Sequence, residues 1–204
     1  NTPLKLVDIE DPSAPTVRAT YRFSNAGDAT GVDLAGNWVY LTGRDVDLSK
    51  RFFRVIDTAN RAAPRVVSEL DLPYGAYPSP QPVVGTDGKH VFAVYSDRIF
   101  RIDVGQPSTP RIDAELVRPG NVRALVPMGR HGLLASDKPE LAVLDLALPG
   151  RMEVVGTLPL DHYAASVAVS GTTAYVAGYC ADESSCADRQ VLSVYHSRTR
   201  PQRS

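Results

Sequence analysis

A strand–turn–strand unit returns along this chain, and its period leaves few folds open. The first copy runs from Leu4 to Tyr21, and the Asp that ends its first strand recurs as Asp8, Asp57, Asp103 and Asp145, at steps of 49, 46 and 42 residues. Seven residues after each Asp come Pro15, Pro64, Pro110 and, as the exception, Met152. Thirteen residues after each come Tyr21, Leu70, Leu116 and Leu158. Four anchors that agree at two further offsets mark a repeat architecture. The chemistry of the unit follows from its residues. An apolar run such as Leu4 to Ile9 alternates as a half-buried strand does. The Asp accepts hydrogen bonds from backbone N–H groups of the next turn, and Pro fixes φ before a second strand such as Thr16 to Tyr21 or Arg65 to Leu70. These four Asp residues are therefore expected to anchor turns, not to catalyse.

A second hairpin lies between successive units. Gly31 to Thr42 alternates apolar and polar residues around Gly36-Asn37, a strong hairpin signal. Its counterparts are Pro82 to Tyr95 around Asp87-Gly88, Ala124 to Ser136 around Gly129-Arg130-His131-Gly132, and Ser166 to Ala177 around Gly171-Thr172. Each period thus supplies four short strands, and Pro and Gly interrupt every helical window. The expected fold class is all-β: a β-propeller of four-stranded antiparallel blades.

The segments Leu6 to Pro15 (LVDIEDPSAP), Gly27 to Leu41 (GDATGVDLAGNWVYL) and Ser166 to Ala177 (SVAVSGTTAYVA) resemble the bacterial LVIVD-repeat family, β-propeller proteins of the cell surface. The resemblance runs over nearly the whole chain. It is close in the first, second and last units, whereas Ala124 to Ser136 keeps the hairpin without the family's residues. It implies a propeller fold and a frequently exported, surface-associated protein, and it implies no particular reaction.

With the strands of a blade lettered a to d from the channel outward, the chain opens on c and d, passes through three complete blades, and ends on a, b and c. Blades are expected over residues 1–197, with a degenerate last unit whose Asp position is taken by Tyr195 in the strand Gln190 to His196. A basic, flexible tail is expected over 198–204. Two arrangements fit. The first d strand completes the last blade of a four-bladed ring, or the chain is a segment of a larger propeller whose other blades lie on further sequence or on a second chain. The extra c strand and the start at Asn1-Thr2-Pro3, with no initiator Met, favour the second.

A formal net charge of -1 argues against a nucleic-acid partner. No stretch approaches the roughly 18–20 apolar residues of a spanning helix. Cys180 and Cys186 are expected to form a disulfide across a surface loop, which fits an oxidising compartment: extracellular, cell-surface or periplasmic. Metal-binding thiolates are the rival reading, and further Cys or His ligands are missing nearby.

Ligand-binding candidates lie in the loops entering the innermost strands: Asp28 and Thr30, then Tyr77, Ser79 and Gln81, then Asn121 and Arg123, then Asp161, His162 and Tyr163. A mixed polar and aromatic ring suits a small polar ligand, a glycan or a peptide. Asp161 beside His162 invites a general-base reading, with Tyr163 and Arg123 as further acid and charge-stabilising groups. Neighbours in an extended segment point apart, however, and no nucleophile motif accompanies them. Asp45 and Asp47, in the long loop Gly43 to Arg51, are weak calcium candidates without the spacing of a calcium loop. No other cofactor is implied. The favoured function is a non-enzymatic binding or assembly module with a protein or glycan partner. The alternatives are a hydrolase or lyase at the channel mouth and a structural part of a two-chain or nicked propeller.

Overall fold

The computed structural model describes residues 4–22, 26–45, 50–73, 88–95, 97–118, 120–180 and 191–196, with the backbone alone described at 26–28, 95, 191 and 196. All regular structure among them is β. The chain divides into two compact units, Asn1–Glu115 and Leu116–Ser204.

The first unit opens with β1 (Leu4–Asp8) and β2 (Thr16–Tyr21), which pair as a two-stranded sheet. A four-stranded antiparallel meander follows, made of β3 (Ala26–Ala35), β4 (Trp38–Asp45), β5 (Arg51–Asp57) and β6 (Arg65–Leu72). Then come β7 (His90–Tyr95), β8 (Arg98–Asp103) and β9 (Arg111–Val117), a three-stranded sheet whose last residues cross the unit boundary. The expected first strand of this sheet, from Pro82, falls outside the described residues. The second unit holds the complete sheet β10 (Val122–Met128), β11 (His131–Ser136), β12 (Glu140–Asp145) and β13 (Glu153–Pro159). It ends with the three-stranded sheet β14 (Tyr163–Ser170), β15 (Thr173–Tyr179) and β16 (Val191–His196). These sheets are blades of the β-propeller type expected from the repeat.

Within each unit the sheets stack face to face. The face of β4–β5 bearing Tyr40, Phe53 and Val55 packs onto Val91, Ala93, Phe100 and Ile102 of β7–β8. The rings of Tyr40 and Phe53 stack at 5.9 Å. The opposite face, bearing Leu41, Phe52 and Ile56, is covered by Leu4 and Tyr21 of β1–β2. In the second unit Leu133, Ala135 and Leu141 pack onto Ala164, Val167, Ala174 and Val176. The sheet β3–β6 thus has a front face turned to the next sheet and a back face turned to the preceding one, and β10–β13 turns its front face to β14–β15.

The turn chemistry repeats at atomic detail. Asp8, Asp57, Asp103 and Asp145 each accept, through Oδ1, the backbone N–H two residues on, at 2.8–2.9 Å. The N–H donors of Thr58, Val104 and Leu146, each next to or after an anchor Asp, reach the carbonyls of Asn37, Lys89 and Arg130 in the neighbouring hairpin turn, at 2.8–2.9 Å. The other carboxylate oxygen takes an arginine: Arg18 on Asp8, Arg65 on Asp57, Arg111 on Asp103 and Arg130 on Asp145. All four carboxyls are held below the usual range. At Asp8, Asp57 and Asp103 the backbone hydrogen bond is the leading cause and the arginine the next; at Asp145 the Arg130 hydrogen bond leads. The expected structural role of these residues is what the geometry displays.

Two local expectations change. The third hairpin turns through Gly129-Arg130 alone, and His131 and Gly132 belong to β11. Gly132 is glycine because of packing: a Cβ there would lie 2.8 Å from a Leu146 methyl and 3.1 Å from a Leu125 methyl. The second change concerns the last unit. The residue two after the turn glycine pairs with the anchor Asp as Trp38 with Asp57, His90 with Asp103 and His131 with Asp145. In the last sheet that residue, Thr173, pairs with His196, while Tyr195 pairs with Ala174. His196 therefore stands at the Asp position. The one-residue difference moves Tyr195 to the back face, where it packs against the core of the second unit.

Candidate functional site: the bulged first strands

Three first strands, β3, β10 and β14, carry a β-bulge. Register shifts fall between Ala29 and Gly31, between Val122 and Ala124, and between Ala164 and Ser166. The extra residue is therefore Thr30, Arg123 or Ala165. Each stands six residues before a turn glycine with positive φ: Gly36 at 59°, Gly129 at 61° and Gly171 at 57°. A bulge re-aims its extra side chain and leaves it outside the ladder. Thr30 Oγ1 and Arg123 Nε are both buried without a hydrogen-bond partner. Sequence alone selected these two positions; the bulge that unites them carries no sequence signal.

The remaining candidates divide. Asn121 is committed to its own loop: its N–H donates to Asp137 Oδ1 at 2.8 Å and its Nδ2 to Asp137 Oδ2 at 2.9 Å, while its carbonyl accepts from the Asp137 N–H. Gly120, at φ 100°, lets the chain pass close to that carboxylate; a Cβ would sit 2.5 Å from Asp137 Oδ1. Tyr163 pairs across the sheet with Tyr179, with ring centroids 5.6 Å apart. Asp28 lies on β3 opposite Arg44, and its side chain is outside the described residues, as are Tyr77, Ser79 and Gln81.

Asp161 and His162 depart from expectation. Strand alternation predicts that they diverge, yet His162 Nδ1–H donates to Asp161 Oδ1 at 2.7 Å. The pair sits in the bend before β14, where alternation does not apply, and the carboxylate folds back onto the ring. The His162 hydrogen bond holds the Asp161 carboxyl below its usual range. The side chains differ sharply in setting: that of Asp161 is 86% exposed and that of His162 fully buried. His162 Nε2 is buried and has no partner. The ring lies over Gly178 of β15, where a Cβ would come within 2.5 Å of His162 Cδ2 and 2.0 Å of the Tyr163 carbonyl oxygen. Gly178, not singled out in the sequence, is what lets the imidazole enter the sheet.

Buried arginines form a further group. Arg118, just before β10, is buried, donates to Glu140 through Nη2 and leaves Nε without a partner. Arg123 and the His162–Tyr163 pair immediately precede Ala124 and Ala164, which share one core. The second unit thus concentrates buried N–H and imidazole groups near the start of its first strands.

The calcium candidates do not assemble a site among the described residues. Asp45 Oδ1 accepts the Lys50 N–H at 3.0 Å and its own N–H bonds the Lys50 carbonyl, so it closes its loop. Asp47 lies outside the described residues. Among those residues no cluster of three or more His, Cys, Asp or Glu could hold a metal ion, and no helix is long and apolar enough to cross a membrane. Cys180 ends the described stretch, so its pairing with Cys186 falls outside it.

Residues 161–180 match the family model of the LVIVD repeat, a stretch that contains Asp161, His162, Gly178 and Cys180. Among curated proteins none matches the chain. Among solved structures, the computationally designed Ika4 protein superposes with a TM-score of 0.61 at 10% identity, over 87% of this chain and 96% of its own. The computationally designed Ika8 protein gives 0.60 at 10% identity, over 89% of this chain and 49% of its own. BamB from Moraxella catarrhalis gives 0.55 at 11% identity, over 81% of this chain and 42% of its own. At such identities the likeness concerns fold alone. The chain is a protein of β-propeller fold that carries an LVIVD repeat at residues 161–180.

Proposed function

We propose that this chain is a non-enzymatic binding module of an exported bacterial protein, taking a glycan or peptide at the bulged start of β10 in its second unit. The observation that carries the reading is the bulge that delivers Arg123, whose Nε is buried without a protein partner; Thr30 stands at the same repeat position of the first unit, with Oγ1 likewise unpartnered. A buried polar group left unpaired costs on the order of 1–3 kcal/mol. A ligand rich in hydroxyls and carbonyls recovers that cost, and glycans and peptides are such ligands. Export is supported by the LVIVD repeat and by Cys180, which is not a free thiol; a Cys180–Cys186 bond across the loop belongs to the same reading.

The test is binding to glycan and peptide panels by the wild-type chain, Arg123→Ala and Thr30→Val. Affinity falls at least about tenfold in Arg123→Ala, the loss of one good charge-assisted hydrogen bond. Unchanged affinity in Arg123→Ala contradicts the reading, and a loss in Thr30→Val alone would place the site in the first unit. The hydrolase or lyase alternative draws on the 2.7 Å Asp161–His162 bond. It also requires Nε2 to meet substrate, and the whole His162 side chain is buried, whereas Arg123 is only half-buried. Turnover of an ester, glycan or peptide that vanishes in His162→Ala would restore it.

A further inference from the structure

We infer that the site at the bulged start of β10 takes an acidic ligand, one whose carboxylate pairs with the guanidinium of Arg123. This rests on the binding reading above and names the chemical class that the site selects.

Arg123 is the extra residue of its bulge, and the same position holds Thr30 in β3 and Ala165 in β14. The bulge forms around a hydroxyl side chain and a methyl as well, so its geometry does not require a guanidinium. Packing does not require one either, because the neighbouring Ala124 and Ala164 supply the core contacts beside the bulges of β10 and β14.

Charge pairing points the same way. Four other buried or half-buried arginines each hold a carboxylate: Arg54 with Glu69, Arg98 with Glu115, Arg101 with Asp113 and Arg118 with Glu140. Such pairing offsets the desolvation of a cation drawn out of water. Arg123 is half-buried and its Nε fully so, yet it holds no carboxylate among the described residues. The described carboxylates of its own unit are all engaged. Asp137 accepts from the N–H and Nδ2 of Asn121, Glu140 from Arg118, Asp145 from Arg130 and Asp161 from His162, while Glu153 stands 3.6 Å from Arg151.

These commitments also fix the frame around the cation. Asp137 pins Asn121, two residues before Arg123, and the pairing of β10 with β11 holds Val122 and Ala124 on either side of it. The unit thus presents a preorganised guanidinium and supplies no described counter-charge of its own. A neutral hydroxyl or carbonyl would satisfy the Nε–H and leave the charge uncompensated. A planar carboxylate does both, through a charge-assisted, bidentate contact. Uronic-acid sugars and acidic peptides share that group.

Isothermal titration calorimetry with matched probes is the test: trigalacturonic acid against its methyl ester, and a Glu-Gly repeat peptide against its Gln-Gly counterpart. The wild-type chain prefers the acid in at least one pair by at least about tenfold at neutral pH, and the pair that shows it identifies the source of the carboxylate. The preference narrows as salt rises. Arg123→Gln loses it, while Arg123→Lys, which keeps the charge without the planar fork, retains part of it. Acid and neutral forms bound equally by the wild-type chain overturn the inference and leave the binding reading standing; equal binding is what a carboxylate of the chain's own on Arg123 would produce. Binding of no probe overturns both. An acid preference that survives Arg123→Gln, with the β circular-dichroism spectrum intact, also overturns the inference. If Arg123→Gln loses that spectrum, Arg123→Lys and the wild-type comparison decide between these outcomes.

Discussion

The sheets β10–β13 and β14–β16 are successive copies of one design, and they differ in what happens to their front faces. Leu133, Ala135 and Leu141 of the first are buried against the second. Tyr175, Ala177 and Leu192 occupy the same positions in the second and are exposed. The local causes of the two sheets are the same: a positive-φ turn glycine, a bulge six residues earlier and an alternating apolar ladder. The difference lesson is that sequence pattern specifies a face, whereas a neighbour decides whether that face is core. Their c strands differ as well. β12 ends in Asp145, held by Arg130 and by the Ala147 N–H, whereas β16 ends in His196.

Substitutions can break or sharpen this contrast. The largest effect is expected from truncating the covered face. Leu133→Ala removes a buried side chain and costs about 2–5 kcal/mol, while Leu192→Ala in the monomeric chain changes stability by less than about 0.5 kcal/mol. Urea denaturation at low protein concentration measures both. A comparable loss at the two positions would mean that the Leu192 face is covered within one chain.

Next come the two close-packed glycines. Gly178→Ala drives a methyl into the Tyr163 carbonyl and the His162 ring, backbone and a buried imidazole that cannot yield. Gly132→Ala meets the ends of two leucine side chains, which can turn away. The first is expected to cost about 3 kcal/mol or more and the second about 1–2 kcal/mol, both within the range for overpacking. Thermal melts of the two variants check the order, and a reversed order would show that His162 is not wedged against Gly178.

The smallest effect is acid sensitivity. Asp145 has a folded carboxyl below the ordinary 3.8, so its contribution is present above that value and is lost as the pH falls through the lower, folded value. Asp145→Asn therefore flattens the stability–pH curve below about pH 4. The substitution Arg130→Met flattens it partly, since the Ala147 N–H remains. The wild-type curve surviving both changes would remove the Arg130 pair as a cause.

Much of this was legible in advance for physical reasons. The four Asp anchors, their proline turns and the hairpin glycines are local devices, so their chemistry is visible in a few consecutive residues. The arginine that completes each anchor was less so. Arg65 and Arg111 stand directly after the repeat's proline, but at the fourth anchor Glu153 takes that place and Arg130 comes from another turn. Compensation of that kind is a tertiary event. Alternation fails at Asp161–His162 because the two residues stand in a bend, and the anchor of the last unit escapes the sequence because the register of β16 shows only in its pairing. The bulges at Thr30 and Arg123 add one unpaired residue each, which no periodicity announces.

The central claim is that the same apolar row is core in β10–β13, where β14–β15 covers it, and surface in β14–β16. Hydroxyl-radical footprinting of the oxidised wild-type chain at low concentration tests it most directly. The account predicts strong oxidation of Tyr175 and Leu192 and little of Leu133 and Leu141. Comparable oxidation at the two sets of positions would contradict it.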